Sequence, residues 1–228
     1  MSHPKTQSEI YDARKFDAFK YHRFSKINRF LPKGTIKLLD IGCGEGQFYD
    51  MLKQQRKDIE YSGLDVSSEQ VERAKSKGYR VSLSDVSSRL PFEDETFDVV
   101  VCFEIIEHVF DTDFLISEMR RVLVSGGKLL LTTPNIAGLG ERLRLLFGKI
   151  PSCLEYRVAE GSNGHIRAFN IGAVRTLLTD NKFDIVTITG REFYTVFRYG
   201  SCLEFVNFFL SDVLKSVSPG ILAVGCKP

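Results

Sequence analysis

The segment Asp40-Ile41-Gly42-Cys43-Gly44-Glu45-Gly46 sets two carboxylates among three glycines at alternate positions, directly after the apolar run Ile36–Ile41. Glycine has no Cβ, so it tolerates positive φ and lets a ligand come close to the backbone. A turn of this kind after a buried strand reads as a binding loop, and the carboxylates narrow what it binds. Loops that hold a pyrophosphate at a helix N-terminus carry G-x-G-x-x-G. Here the spacing is G-x-G-x-G, with Gln47 where that pattern places its third glycine. Asp40 and Glu45 would repel a pyrophosphate, whereas they suit a ligand bearing an ammonium and a sulfonium. A second concentration of titratable groups lies at Glu104-Ile105-Ile106-Glu107-His108, with another histidine in Gly164-His165-Ile166-Arg167. A helix over 104–108 would put Glu104, Glu107 and His108 on one face.

Strand and helix signals alternate around these groups. Ile36–Ile41 is near-continuously apolar, as expected of a strand covered on both faces. A helix is predicted over Gln47–Gln54 and a second strand over Ile59–Leu64. Ser67 and Gln70 stand at capping-box spacing before a helix that Gly78 should end. Strands are predicted at Tyr79–Leu83, Phe97–Phe103 and Lys128–Thr133. A helix before the last of these is capped by Asp111 or Thr112, carries Leu115, Met119, Val122 and Leu123 inward, and ends at Gly126-Gly127. Pro134 closes the fifth strand. A helix over Gly172–Asn181, a strand over Phe183–Thr189 and a last strand over Ile221–Cys226 complete the chain. The alternation predicts a doubly wound α/β sheet whose end is antiparallel.

Bulk properties exclude several classes. The chain has 228 residues and a net charge of only +2, from 31 basic and 29 acidic residues, so nothing drives it globally toward nucleic acid or an anionic membrane. Its five cysteines are widely spread with no C-x-x-C pair, which fits reduced thiols in a cytoplasmic protein. Met1 to Lys20 is polar and charged and lacks the apolar core of a secretory signal. No uninterrupted apolar stretch approaches the ~20 residues that span a bilayer.

Three ordered stretches carry a family resemblance. LLDIGCGEGQF, LPFEDETFDVVVCFEIIEHV and RVLVSGGKLLLTTPN resemble the first, fourth-strand and fifth-strand motifs of class I S-adenosylmethionine-dependent methyltransferases. The resemblance is closest over about residues 36–135. It implies a Rossmann-like seven-stranded sheet of order 3-2-1-4-5-7-6 with helices on both faces, and S-adenosylmethionine as cofactor. Asp65, at the end of strand two, would then accept both ribose hydroxyls, and Asp85 would accept from the adenine amino group. Val66 and Val86 would wall the adenine, or serve simply as core. Gly42, Cys43, Gly44 and Gly46 would admit the methionine part, with Asp40 and the backbone near Phe103 facing its ammonium.

Methyl transfer to a high-pKa hydroxyl also needs a proton acceptor or a metal. His108, His165 and Glu107 are the candidates for the first role. Glu104, Glu107, His108 and His165 together resemble a metal site of small-RNA 2′-O-methyltransferases and, in part, of quinone-precursor O-methyltransferases. Two imidazoles in that set suit Mn²⁺, Fe²⁺ or Zn²⁺ better than Mg²⁺. The expected layout is one methyltransferase domain: a cap helix within 1–32, the cofactor core over 33–135, an acceptor-binding insertion over 136–168, and a helix and strand pair over 169–228. Within the insertion, Leu139–Lys149 interleaves apolar residues with Arg142, Arg144 and Lys149. It is read first as a lid helix over the site, and otherwise as a basic helix lying on a membrane surface. The aromatic stretch from Phe193 to Phe209 would line an acceptor pocket, cover a sheet edge or form a dimer contact. The acceptor expected is a hydroxyl of a small molecule, a glycan or a lipid-linked precursor. Long nucleic acid is disfavoured, while an RNA end in a compact site and a non-catalytic scaffold stay open as rivals. Monomer and homodimer are both open.

Overall fold

The structure, a computed structural model, describes residues 27–155, 164–191 and 214–228. One seven-stranded sheet runs through them, built from β1 (Ile36–Ile41), β2 (Ile59–Asp65), β3 (Val81–Leu83), β4 (Phe97–Phe103), β5 (Leu123–Pro134), β6 (Asp184–Arg191) and β7 (Gly220–Cys226). Its order is β3-β2-β1-β4-β5-β7-β6. The first five strands are parallel, and β7 runs antiparallel to both β5 and β6. Order and antiparallel end are those the sequence implied. β1 pairs with β2 on one side and β4 on the other. The winding reverses there, which puts the loops after β1 and β4 at one crevice.

Alternate residues of the central strands feed two cores, one on each face. Leu39 and Ile41 of β1, Val100 and Cys102 of β4, and Leu129 and Leu131 of β5 pack with Leu115, Ile116 and Met119. Leu38, Val99, Val101 and Leu130 face the other way, with Phe48, Leu52, Val71 and Ala74. Burial on both faces is why these strands read as unbroken apolar runs.

Three of the described helices begin at side-chain oxygen caps, whereas α1 (Gln47–Gln55) leaves the glycine turn directly with no such cap. α2 (Ser68–Ser76) is capped by Ser67 Oγ, which accepts from Gln70 N at 3.2 Å. The return arm of the capping box is not made: Ser67 N–H donates to Asp65 Oδ1 at 2.9 Å. Asp111 caps α3 (Thr112–Val122), and Asn170 caps α5 (Ile171–Asp180). Between them lies α4 (Leu139–Leu146).

Four expectations need correction or placement. β3 is only three residues long, because Tyr79 leaves the strand to pack edge-on against Tyr49 and Tyr61. β5 begins at Leu123, directly after α3, so Gly126-Gly127 lies within the strand and does not end the helix. Among the described residues α4 buries none of its side chains, where a lid helix packed over the site was expected. The expected N-terminal cap helix and the aromatic stretch 193–209 fall outside the described residues, apart from a short 3-10 turn at Asn28–Phe30.

Candidate functional site

The turn after β1 is held open by backbone conformation. Gly42, Gly44 and Gly46 all have positive φ, at 72°, 54° and 83°. Gly42 also sits against the next loop: a Cβ there would run into the Ile105 side chain. The N–H groups of Gly42 and Cys43 both donate to Leu64 O, at 2.8 and 2.9 Å, which ties the turn to the end of β2. Asp65 completes the tie. Its Oδ2 accepts from Gly44 N at 2.7 Å, while Oδ1 takes Ser67 N. Two backbone donors fix this carboxylate at the sheet's carboxyl edge.

Asp40 lies deeper. It is buried and accepts from Tyr61 Oη at 3.0 Å. Burial raises its carboxyl from 3.8 to about 7, opposed by the Tyr61 hydrogen bond and reinforced by the charge of Asp65. Cys43 is buried with Sγ beside Gly44 O, and burial together with Asp40 and Asp65 drives its thiol far up. Cys102 is raised by burial as well. Neither thiol can serve as a nucleophile near neutral pH. Asp85 is exposed, and its Oδ1 accepts from Ser87 N at 2.8 Å in a local turn. Val66 and Val86 are both half-buried, and Val86 packs on the core. Phe103 ends β4 with its ring edge-on to Phe48, centroids 5.1 Å apart.

The second concentration of groups differs from its expected geometry. Residues 104–108 are not an α-helix. Glu104 takes a positive φ of 58° as β4 ends, and only Ile106–His108 turns, as one 3-10 turn. The two carboxylates therefore part: Glu104 Oε1 accepts from Thr132 Oγ1 at 2.9 Å, and Glu107 Oε2 accepts from Thr133 Oγ1 at 3.1 Å. Glu107, His108 and His165 come together without Glu104, their ligand atoms within 4.8 Å of one another.

The distant histidine arrives by backbone stitching. Ile166 N–H and Arg167 N–H both donate to Glu107 O at 3.0 Å. His108 Nδ1 lies 3.0 Å from Gly164 O, and His165 Nδ1 lies 3.3 Å from Cys153 O. A carbonyl can only accept, so each Nδ1 carries a proton and each neutral ring keeps its lone pair on Nε2. Both Nε2 atoms stand 3.9 Å from Glu107 Oε1, with ring centroids 4.8 Å apart. Two imidazole lone pairs and one buried carboxylate thus converge on a small volume. Imidazoles oriented by carbonyls in this way are the usual support of a metal centre. The donor set fits Mn²⁺, Fe²⁺ or Zn²⁺ and fits Mg²⁺ poorly.

The methyltransferase-domain family model matches residues 39–131. A ubiquinone biosynthesis O-methyltransferase of Pelagibacter ubique is 33% identical over 108 residues, 46% of this chain and 44% of the relative. A norajmaline N-methyltransferase of Rauvolfia serpentina is 36% identical over 116 residues, 48% of this chain and 39% of the relative. Each match thus spans less than half of the curated relative. Among solved structures, a Haloferax volcanii methyltransferase in complex with the Trm112 activator aligns with a TM-score of 0.67 at 16% identity. It covers 91% of this chain and 90% of its own, a likeness of fold.

Proposed function

We propose, from the match of residues 39–131 to the methyltransferase-domain family model, that the protein transfers the methyl group of S-adenosylmethionine to a hydroxyl oxygen of a small molecule, a glycan or a lipid-linked precursor. One observation carries the reading: the positive-φ turn Gly42–Gly46 clasped to Asp65 through Gly44 N–H. That arrangement supports a nucleoside held by its ribose hydroxyls on Asp65, whose two carboxylate oxygens act only as acceptors. Asp40 lies beneath the turn and acts on the cofactor's ammonium through its charge. Gly42, Cys43, Gly44 and Gly46 offer backbone to the methionine part. Asp85 takes the adenine amino group, Val66 and Val86 flank the base, and Phe103 closes the β4 side.

In the reaction, the acceptor oxygen forms the new C–O bond as the S–CH₃ bond breaks, leaving S-adenosylhomocysteine and a methyl ether. The hydroxyl proton passes to an imidazole Nε2 of His108 or His165. Glu107, 3.9 Å from both, stabilises the imidazolium. Most of the acceleration comes from holding nucleophile, methyl and sulfur in line, since the donor's charge disperses and a water-poor pocket does not oppose it.

A second reading is favoured by the convergence of Glu107, His108 and His165. These three would hold a divalent transition ion, which would supply Lewis acidity toward the acceptor oxygen in place of a protein base. Under this reading a terminal ribose of RNA joins the acceptor candidates. Exhaustive chelation separates the two: activity that survives it, and is not raised by Mn²⁺, removes the metal and the RNA reading that depends on it.

Calorimetry with S-adenosylmethionine tests the main proposal. Binding to the native chain, weakened about tenfold or more in a folded Asp65→Ala variant, is the expected result. Absence of heat at saturating cofactor would leave a non-catalytic scaffold. A methyl-transfer assay over quinone precursors, sugars, lipids and RNA ends, with and without divalent metal, then names the acceptor.

A further inference from the structure

Among the described residues, the connection after β5 carries the longest run of exposed large apolar side chains. Leu139, Leu143, Leu146 and Phe147 recur at helical spacing along α4 and are 50%, 45%, 75% and 74% exposed. Ile150 extends the stripe beyond the helix and is half exposed. The helix is nevertheless firmly hung. Gly138 is buried at its start, Ala137 N–H donates to Asn135 Oδ1 at 3.0 Å, and Arg142 reaches Ala137 O and Ser216 O. Its underside is fixed, while its apolar stripe is exposed. A large, contiguous exposed apolar patch on an anchored helix marks an interaction surface.

Charge decides the partner. The exposed residues from 139 to 150 include three cations, Arg142, Arg144 and Lys149. The one acid, Glu141, is turned inward, where it accepts from Ser152 N–H at 2.7 Å and lies 3.8 Å from Arg144 Nε, which leaves the face with a net positive charge. A second copy of the chain meeting this face about a two-fold axis would bring the same cations together, at a Coulombic cost. An anionic bilayer surface reverses that sign and accepts leucine and phenylalanine at its acyl boundary. We propose that α4 and the turn after it, Leu139 to Ile150, dock the protein on a negatively charged lipid surface, with Leu143, Leu146, Phe147 and Ile150 entering the interface and Arg144 and Lys149 facing the headgroups. The docking is independent of the methyl-transfer reading.

Co-sedimentation of the full chain with vesicles tests this. Vesicles of equal parts phosphatidylglycerol and phosphatidylcholine should bind at least about tenfold better than phosphatidylcholine alone, with the difference shrinking at high salt. The double variant Leu146→Gln/Phe147→Gln should lose most of that binding with an unchanged thermal midpoint, since both side chains are exposed. No difference between the two vesicle types overturns the proposal, as does undiminished binding by the variant. A dimer that the variant abolishes would assign the stripe to a second copy. A fall in the variant's thermal midpoint would assign it to the chain's own packing.

Discussion

The glycine turn after β1 and the imidazole cluster after β4 lie at the same sheet edge but are built by opposite means. The turn is mostly backbone: three residues at positive φ, two N–H groups on Leu64 O, and one N–H on Asp65. Its parts come from two short neighbouring stretches. The cluster is side chains brought from stretches 57 residues apart, as measured between His108 and His165, and joined by two N–H groups on Glu107 O. A conformation required of the main chain leaves its mark in residue type, because glycine alone meets it cheaply. A convergence of side chains leaves none, because histidine and glutamate are common and the joining bonds are sequence-blind. The two constructions touch at Ile105, whose side chain occupies the space a Gly42 side chain would need.

That contact offers the strongest way to break the comparison. Gly42→Ala forces a Cβ into Ile105 at a positive φ, at a cost of about 2–4 kcal/mol. Calorimetry should find cofactor affinity lowered by a hundredfold or more, and the disturbance should reach the turn carrying Glu107 and His108. Unaltered binding would mean that the turn yields and the two constructions are uncoupled. Next in size is Asn135→Ala. Asn135 is buried after β5, donates to Ser218 O at 2.8 Å and accepts from Ala137 N–H. Leaving those groups unsatisfied should cost about 1–3 kcal/mol in chemical denaturation while cofactor affinity holds, a loss confined to the imidazole side.

Asp40 sharpens the turn's side of the comparison through pH. Its carboxyl is raised by burial to about 7 in the unliganded protein, and a cationic ligand favours the ionised form. Cofactor affinity should therefore fall by up to about tenfold per pH unit below 7. Binding near pH 6 should release a proton, seen as a buffer-dependent heat. Stability of the unliganded protein runs the other way. The raised value costs nothing below pH 3.8, and the cost of burying the charge grows as pH rises toward 7. Asp40→Asn should flatten both profiles. The smallest effect is expected at α4, where Phe147→Gln should alter stability by no more than about 0.5 kcal/mol.

Much of the fold was legible because each requirement left a local signature. Burial on both faces wrote β1 and β4 as apolar runs, and Phe97–Phe103 appears with its predicted limits. Asp111 and the Ser67 cap sit at their predicted places. The misses share a cause. β3 shortened because three tyrosine rings pack together. Gly126-Gly127 read as a helix end although they lie in an irregularity within β5, where Gly126 N–H donates to Lys227 O and Gly127 O accepts from Lys227 N–H, a matter of distant chain. Glu104 was expected beside Glu107 on a helical face, but the chain leaves β4 through a left-handed residue and Thr132 takes the Glu104 carboxylate.

From residue types and spacing followed the alternating strands and helices and the glycine turn, because backbone geometry and two-sided burial restrict which residues can stand at each position; the order of the sheet followed from the family resemblance of the motifs. Tertiary structure alone decided which charged groups meet: that His165 crosses to Glu107 and His108, that Glu104 does not join them, and that the apolar stripe of α4 faces outward. Those outcomes depend on long-range hydrogen bonds to main-chain carbonyls, and every residue but proline offers the chain the same N–H and C=O.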